Sequence, residues 1–246
     1  MTSGDFDQLV PETEGFTLFY GHKSGPTRFF SNFFQSEFTD PNLYPGLERL
    51  ERWRNKDGAI TFQHVEQYMH ALKAIIFADF NTMDKIMEEG ADPVQAKILG
   101  REVEGYIEDE WQSRARWVVA RGILLKFSQN KELKVELAGT GQTMLVECAP
   151  RDQRWAMPQT FFHFKICGIY SPIIVYMYSG QSFKLAGKNV TLRWGIGLGK
   201  ENPRAVLPAQ WRGKNWLGQC LVVARQAILG GGDLTLPQLP YPPISS

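Results

Sequence analysis

Cysteine is scarce. The chain has three in 246 residues, Cys148, Cys167 and Cys220. They are far apart and include no Cys-x-x-Cys pair, which argues against a disulfide framework and against a cysteine-paired zinc site. Charge of one sign is also lacking: 27 Lys and Arg against 26 Asp and Glu leave a net +1. A chain whose main partner is the phosphate backbone of long nucleic acid is more basic than that. The four histidines show no ligand spacing, since His64 and His70 stand six apart, off the helical i, i+4 register. No metal and no cofactor are therefore expected. The N-terminus, Met1 to Asp7, lacks the basic-then-apolar order of a secretory signal, so a reducing, cytoplasmic location is expected. Repeats and heptads are absent, which excludes solenoids and coiled coils. The one long apolar run, Phe161 to Tyr178, carries His163, Lys165 and Pro172. A membrane span needs ~20 predominantly apolar residues, so no membrane partner is expected.

What is present is the composition of a soluble globular protein, 43% hydrophobic and 22% charged, with length for one good core. The most informative stretch is Thr61 to Lys73. Val65, Met69, Leu72 and Ile76 recur in steps of four, three and four, the period of an amphipathic helix. Glu66, His70 and Lys73 fall at i, i+4 and i+7, on the edge of that stripe. A carboxylate at the boundary of a core is poorly solvated, and its proton affinity is open to tuning for acid/base work. The helix alone equally allows an ordinary i, i+4 surface pair of Glu66 with His70.

Along the chain, residues 1–15 are expected to be loose. Phe16 to Tyr20 alternates like a short strand. Arg28 to Phe34 clusters aromatics around Ser31 and Asn32, and reads either as a buried strand or as aromatic faces for a planar heterocycle. Asp40 to Gly58 looks like a surface insertion between two strands. The Glu66 helix is expected to run to about Ala78, followed by a helix over Asn81 to Glu89. Asp92-Pro93 reads as an N-cap with Pro at N1, starting a helix that ends near Gly100-Arg101. Glu108 to Phe127 is the next strong helix, with Trp111 on its apolar stripe and acidic residues in its first turn. Asn130 caps a short helix through Leu137, Met144 to Glu147 is a strand, and Cys148 to Asp152 is a loop beyond its end. A last helix through Leu217 and Ile228 stops at Gly230, and residues 231–246 form a Pro-rich, disordered tail. The fold class expected is α+β: a helix-dominated single domain with a few short strands over residues 16–230.

Several of these stretches together resemble the NADAR family, which includes the YbiA-like N-glycosidases of riboflavin intermediates. They are Phe30-Ser-Asn-Phe33, Glu66-x-Tyr68 with Lys73, Leu99-Gly-Arg101, Trp111 with its helix to Lys126-Phe127, and Leu145-Val-Glu147 through Asp152. Trp194-Gly-Ile-Gly-Leu198 and Trp211-Arg-Gly-Lys-Asn-Trp-Leu-Gly218 complete the set. The order and spacing of these motifs across residues 17–230 carry the likeness, and eukaryotic members look most similar. The resemblance implies a compact domain that hydrolyses an N-glycosidic bond in phosphoribosylated pyrimidines or in ADP-ribosyl compounds. It places the family's catalytic glutamate on Glu66, its functional tryptophan on Trp111 and its aspartate on Asp152. Substrate contacts are expected from Phe30, Ser31, Asn32, Tyr68, Lys73, Arg101, Trp194, Gly195, Gly197 and Asn215, with Lys73 and Arg101 toward phosphate. The alternatives are a module that binds ADP-ribose without turning it over, and an inactive product of a retained intron. Oligomeric state is not readable.

The chain departs from the family at Gln67, where histidine is common, and more seriously after Asp152. There the family runs directly into Trp-Gly-x-Gly, whereas here Arg154-Trp155 is followed by residues 156–194 before Gly195. Joining Trp155 to Gly195 restores the family reading. The intervening segment reads as a translated intron or gene-model artefact, as a genuine insertion, or, least readily, as a membrane segment. As an exposed apolar run it is an aggregation hazard.

Overall fold

The computed structural model describes residues 3–150, 183–185, 188–190 and 194–230. Asp152, most of the 156–194 segment and the Pro-rich tail lie outside the described residues. The helices are α1 (Ser3–Asp7), α2 (Val65–Ile76), α3 (Phe80–Glu89), α4 (Pro93–Leu99), α5 (Glu108–Gln129), α6 (Lys131–Gly139) and α7 (Trp216–Leu229). The strands are β1 (Phe16–Phe19), β2 (Phe38–Asp40), β3 (Ile60–Phe62), β4 (Met144–Glu147), β5 (Phe183–Leu185) and β6 (Lys188–Val190). They pair as three two-stranded sheets among the described residues: β1 with β4 in parallel, and β2 with β3 and β5 with β6 antiparallel. Phe16 faces Met144 and Phe19 faces Glu147 in the parallel pair. A parallel pair needs a long crossover, and helices α2 to α6 form it.

The core lies where α5 packs on α7 and α2. Asp92 caps α4 through its side chain and Pro93 opens it, because proline lacks only an N–H that the first turn leaves unpaired anyway. Asn130 caps α6 in the same way. Glu108, Asp109 and Glu110 stand in the first turn of α5, where the helix dipole favours negative charge. The helix-rich α+β architecture with few short strands is as the sequence implies.

Four local expectations are corrected. The N-terminus is not loose where it is described: residues 3–7 are helical, and Phe6 is buried edge-to-face against Trp117 at 5.0 Å. The aromatic stretch is not a strand but a 3₁₀ turn, Arg28–Phe30, followed by a bend. Its cause is Lys126, whose Nζ donates to Phe29 O at 2.7 Å and Ser31 O at 3.2 Å and draws two alternate carbonyls to one point. The 40–58 stretch does lie between two strands, but it is pinned rather than free. Asp40 is fully buried, accepting from Tyr68 Oη at 2.8 Å and from Arg121 Nε at 2.8 Å. Arg54 Nη2 donates to Leu43 O and Tyr44 O. Finally, α2 has no exposed edge: all twelve of its residues are buried. A helix buried all round must neutralise its polar side chains internally, and that requirement shapes the site.

Candidate active site

Helix α2 begins at His64, whose Nδ1 accepts from Gln67 N at 3.0 Å while Nε2 meets Gly90 O at 2.9 Å. An acceptor Nδ1 leaves the proton on Nε2, so the ring is neutral and donates to the carbonyl. Burial lowers its pKa in agreement. The next turn is docked from outside: Glu66 N donates to Asn32 O at 3.1 Å. The aromatic loop and the first turn of α2 are thereby one unit.

Glu66 is 4% exposed. Its Oε1 accepts from His70 Nε2 at 3.2 Å and lies 4.0 Å from Lys97 Nζ. Burial pushes the carboxyl's pKa up, but Lys97 and His70 more than reverse this and hold it below the ordinary value. Glu66 is thus a buried anion. Burial lowers the pKa of His70, so the ring is neutral near pH 7 and its single proton sits on the Nε2 that faces Glu66. His70 Nδ1 is buried with no hydrogen-bond partner and lies against Gly100, where an added Cβ would fall 2.0 Å from it. Only glycine fits there. Lys73 donates from Nζ to Gly100 O at 2.7 Å and covers the Tyr106 ring at 4.1 Å. Burial lowers its pKa to about 8. Lys73 therefore finishes the C-terminus of α4 and does not line the cleft.

That cleft, of about 230 Å³, opens beside Lys97. Helix α4 and the turn after it supply Val94, Lys97, Ile98 and Arg101; the ends of the two parallel strands supply Tyr20 to His22, Glu147 and Ala149; the aromatic loop supplies Ser31 and Phe33. Open sheets bind ligands at the carboxyl ends of parallel strands, and the β1–β4 pair places the cleft there. Phe33 lies 5.4 Å from the His22 ring, and Lys97 Nζ stands 5.3 Å over the Phe33 ring. Apolar surface, three aromatic rings and two cations in one cleft suit a planar heterocycle joined to an anionic group.

The structure gathers some of the residues singled out from sequence and disperses others. Ser31 and Arg101 line the cleft. Asn32 is buried behind it, with its Oδ1 unpartnered. Phe30 is core, packed on Phe19, Phe29 and Phe127. Tyr68 faces away to Asp40, because a buried aspartate requires both Tyr68 and Arg121. Trp111 is 9% exposed and belongs to the core cluster rather than the cleft lining. Trp194 stacks edge-to-face on Trp216 at 5.7 Å. Gly195 abuts Glu147 and Ala149, and Gly197 has φ +70°. Asn215 is buried and bound to β4, with Nδ2 donating to Leu145 O at 2.9 Å and Oδ1 accepting from Glu147 N at 3.1 Å. Lys97, His22, Phe33 and Glu147 were not chosen from sequence. A signal for α4 existed: Val94 and Ile98 form a second apolar stripe opposite Ala96 and Leu99, and Lys97 and Arg101 stand at i, i+4 beside it. Among the described residues no three His, Cys, Asp or Glu are grouped to hold a metal, and no helix is long and apolar enough to cross a membrane.

Known proteins resemble the chain in sequence and in fold. The NADAR domain model matches residues 18–161. Protein irg-1 of Caenorhabditis elegans is 28% identical over 218 residues, covering 88% of this chain and 81% of that protein. N-glycosidase R617 of Acanthamoeba polyphaga mimivirus is 30% identical over 151 residues, 61% of this chain and 81% of that one. The NMR structure of the Escherichia coli protein YbiA superposes with a TM-score of 0.53 at 19% identity, covering 91% of this chain and 90% of YbiA, and so shares the fold. With its family model spanning more than half of its length, the chain belongs to the NADAR domain family.

Proposed function

We propose that the protein is an N-glycosidase, a hydrolase that cleaves the bond between a ribosyl carbon and a nitrogen of a base, and that it works in the cytoplasm. The observation that carries this reading is Glu66: a carboxylate held ionised while buried, by His70 and Lys97, next to a cleft with aromatic and cationic residues. N-glycoside hydrolysis develops positive charge on the ribose ring and negative charge on the departing base. A fixed anion in a dry site stabilises that cation without reorganising during the reaction. The relative named N-glycosidase R617 supports the same activity. The substrate class is a phosphoribosylated pyrimidine of riboflavin synthesis or a related ADP-ribosyl compound. Its base sits against Phe33 and His22, and its phosphate is held by Lys97 and Arg101. Asp152, carried by the family resemblance, orients water or the ribose, and Trp111 backs the site from the core.

The test is release of free sugar phosphate from phosphoribosylated pyrimidine intermediates and from ADP-ribosylated nucleobases, with the chain lacking residues 156–194 run in parallel. Turnover by the full chain supports the reading and makes the segment a tolerated insertion. Turnover by the shortened chain alone makes the segment foreign to the fold. Saturable nucleotide binding with no sugar release from either refutes catalysis in favour of a binding module.

A further inference from the structure

We infer that Glu147 is a catalytic carboxylate of this cleft, the base that takes the proton of the attacking water, and that Gly195 and Asn215 position it. The inference rests on the N-glycosidase reading above. Among the described residues that line the cleft, Glu147 is the only carboxylate; Glu66 lies beneath, reached through Lys97. Glu147 ends β4, and its backbone is held on both sides. Its N–H donates to Asn215 Oδ1 at 3.1 Å, and its carbonyl accepts from Ile196 N at 3.0 Å and Ala149 N at 3.1 Å. Asn215 is 1% exposed and adopts φ +53°, a left-handed conformation that asparagine tolerates better than most residues. A Cβ at Gly195 would stand 3.0 Å from Glu147 O and 3.3 Å from Glu147 Oε2. The Trp-Gly-Ile-Gly and Trp-Arg-Gly-Lys-Asn motifs thus converge on one strand end, and that strand end presents one acid to the cleft. Fixing the backbone of Glu147 on both sides sets where its side chain enters the cleft, and such orientation is what catalysis demands of a reacting group.

The division of labour follows. Glu66, permanently anionic and buried, faces the charge that grows on the sugar. Glu147, at the cleft surface, meets water. As the water oxygen bonds to the anomeric carbon, the carbon–nitrogen bond breaks with its electron pair on nitrogen. The proton lost to Glu147 then passes to that nitrogen, directly or through solvent, so that water has added across the bond and no other reactant is required.

The experiment uses the full chain and whichever N-glycoside it turns over. Glu147→Gln preserves shape and should melt like the wild type. General-base loss predicts kcat lower by about 10²–10⁴-fold with KM little changed. Gly195→Ala should lower kcat in the same direction by displacing Glu147, while Glu147→Asp should recover part of the rate. A Glu147→Gln enzyme with unchanged kcat, or with a raised KM alone, overturns the inference and makes Glu147 a counter-ion of the cleft's cations. If wild type binds the nucleotide but releases no sugar, the parent reading falls, and this inference with it; a normal wild type beside an undiminished Glu147→Gln overturns this inference alone.

Discussion

Lys126 is fully buried between the Phe34 and Phe127 rings, 5.2 Å from each centroid, with Phe29 O and Ser31 O as acceptors. Burial lowers its pKa from 10.5 to about 7. Above pH 10.5 the amine is neutral in both folded and unfolded chains and adds no pH dependence. As pH falls toward 7 the unfolded chain takes up a proton that the folded chain resists, so stability is lost; below 7 the difference is constant. At 1.36 kcal/mol per unit, the gap amounts to about 5 kcal/mol of pH-dependent stability across that window. Lys126→Met deletes it. The variant also strands two carbonyls, at about 1–3 kcal/mol each, but that cost does not change with pH. The two effects therefore roughly cancel near neutrality, and the wild type wins increasingly as pH rises. Between about pH 7.5 and about pH 9.5 its advantage over Lys126→Met should grow by about 2–3 kcal/mol. Lys73, with a pKa lowered to about 8, is present in both proteins and drops out of the difference. His64, the neighbour whose charge Lys126 opposes, titrates below this window. Urea unfolding of both proteins at the two pH values measures the change. Parallel stabilities at both would show that burial does not lower the pKa of Lys126 and would overturn the linkage.

Three further outcomes follow from the same contacts. Tyr68→Phe removes a hydrogen bond to the buried Asp40, which should cost about 1.5–3 kcal/mol in urea unfolding while leaving kcat unchanged, since the hydroxyl faces away from the cleft. Gly100→Ala places a methyl where the His70 ring lies; overpacking of about 1–3 kcal/mol and a fall in kcat should appear together, because His70 must leave Glu66 to make room. Lys97→Met removes the strongest opponent of burial at Glu66, so the carboxyl titrates at higher pH and the acid limb of the kcat–pH profile moves upward.

Local signals in the sequence were strong wherever one element decided its own structure. The 3.6-residue period placed α2, the Asp92-Pro93 pair placed α4, and Asn130 placed α6, with boundaries within a residue or two. Glu66 and His70 were legible as a pair because i, i+4 geometry is intrinsic to a helix. What was illegible depended on partners distant in sequence. Nothing near Asp40 announces Arg121, 81 residues away, so a pinned segment read as a surface loop. Lys126 bends the aromatic stretch from 97 residues beyond Phe29, and no strand-period argument contains it. Tyr68 and Lys73 share the motif of Glu66 but reach other partners: Tyr68, two positions on, faces Asp40 on another side of the helix, and Lys73, on the same face two turns on, ends at Gly100 O. The role of Asn215 as a clamp on β4 emerges only when α7 is packed against that strand.

The measurement closest to the central claim is single-turnover release of ribose 5-phosphate from a phosphoribosylated pyrimidine by the full chain and by Glu66→Gln, with nucleotide binding measured on both. The account predicts that Glu66→Gln binds like the wild type and releases sugar at least about 10²-fold more slowly, as expected for loss of a preorganised charge. Equal rates from the two proteins would contradict it, because the carboxylate that His70 and Lys97 hold ionised would then have no part in the chemistry.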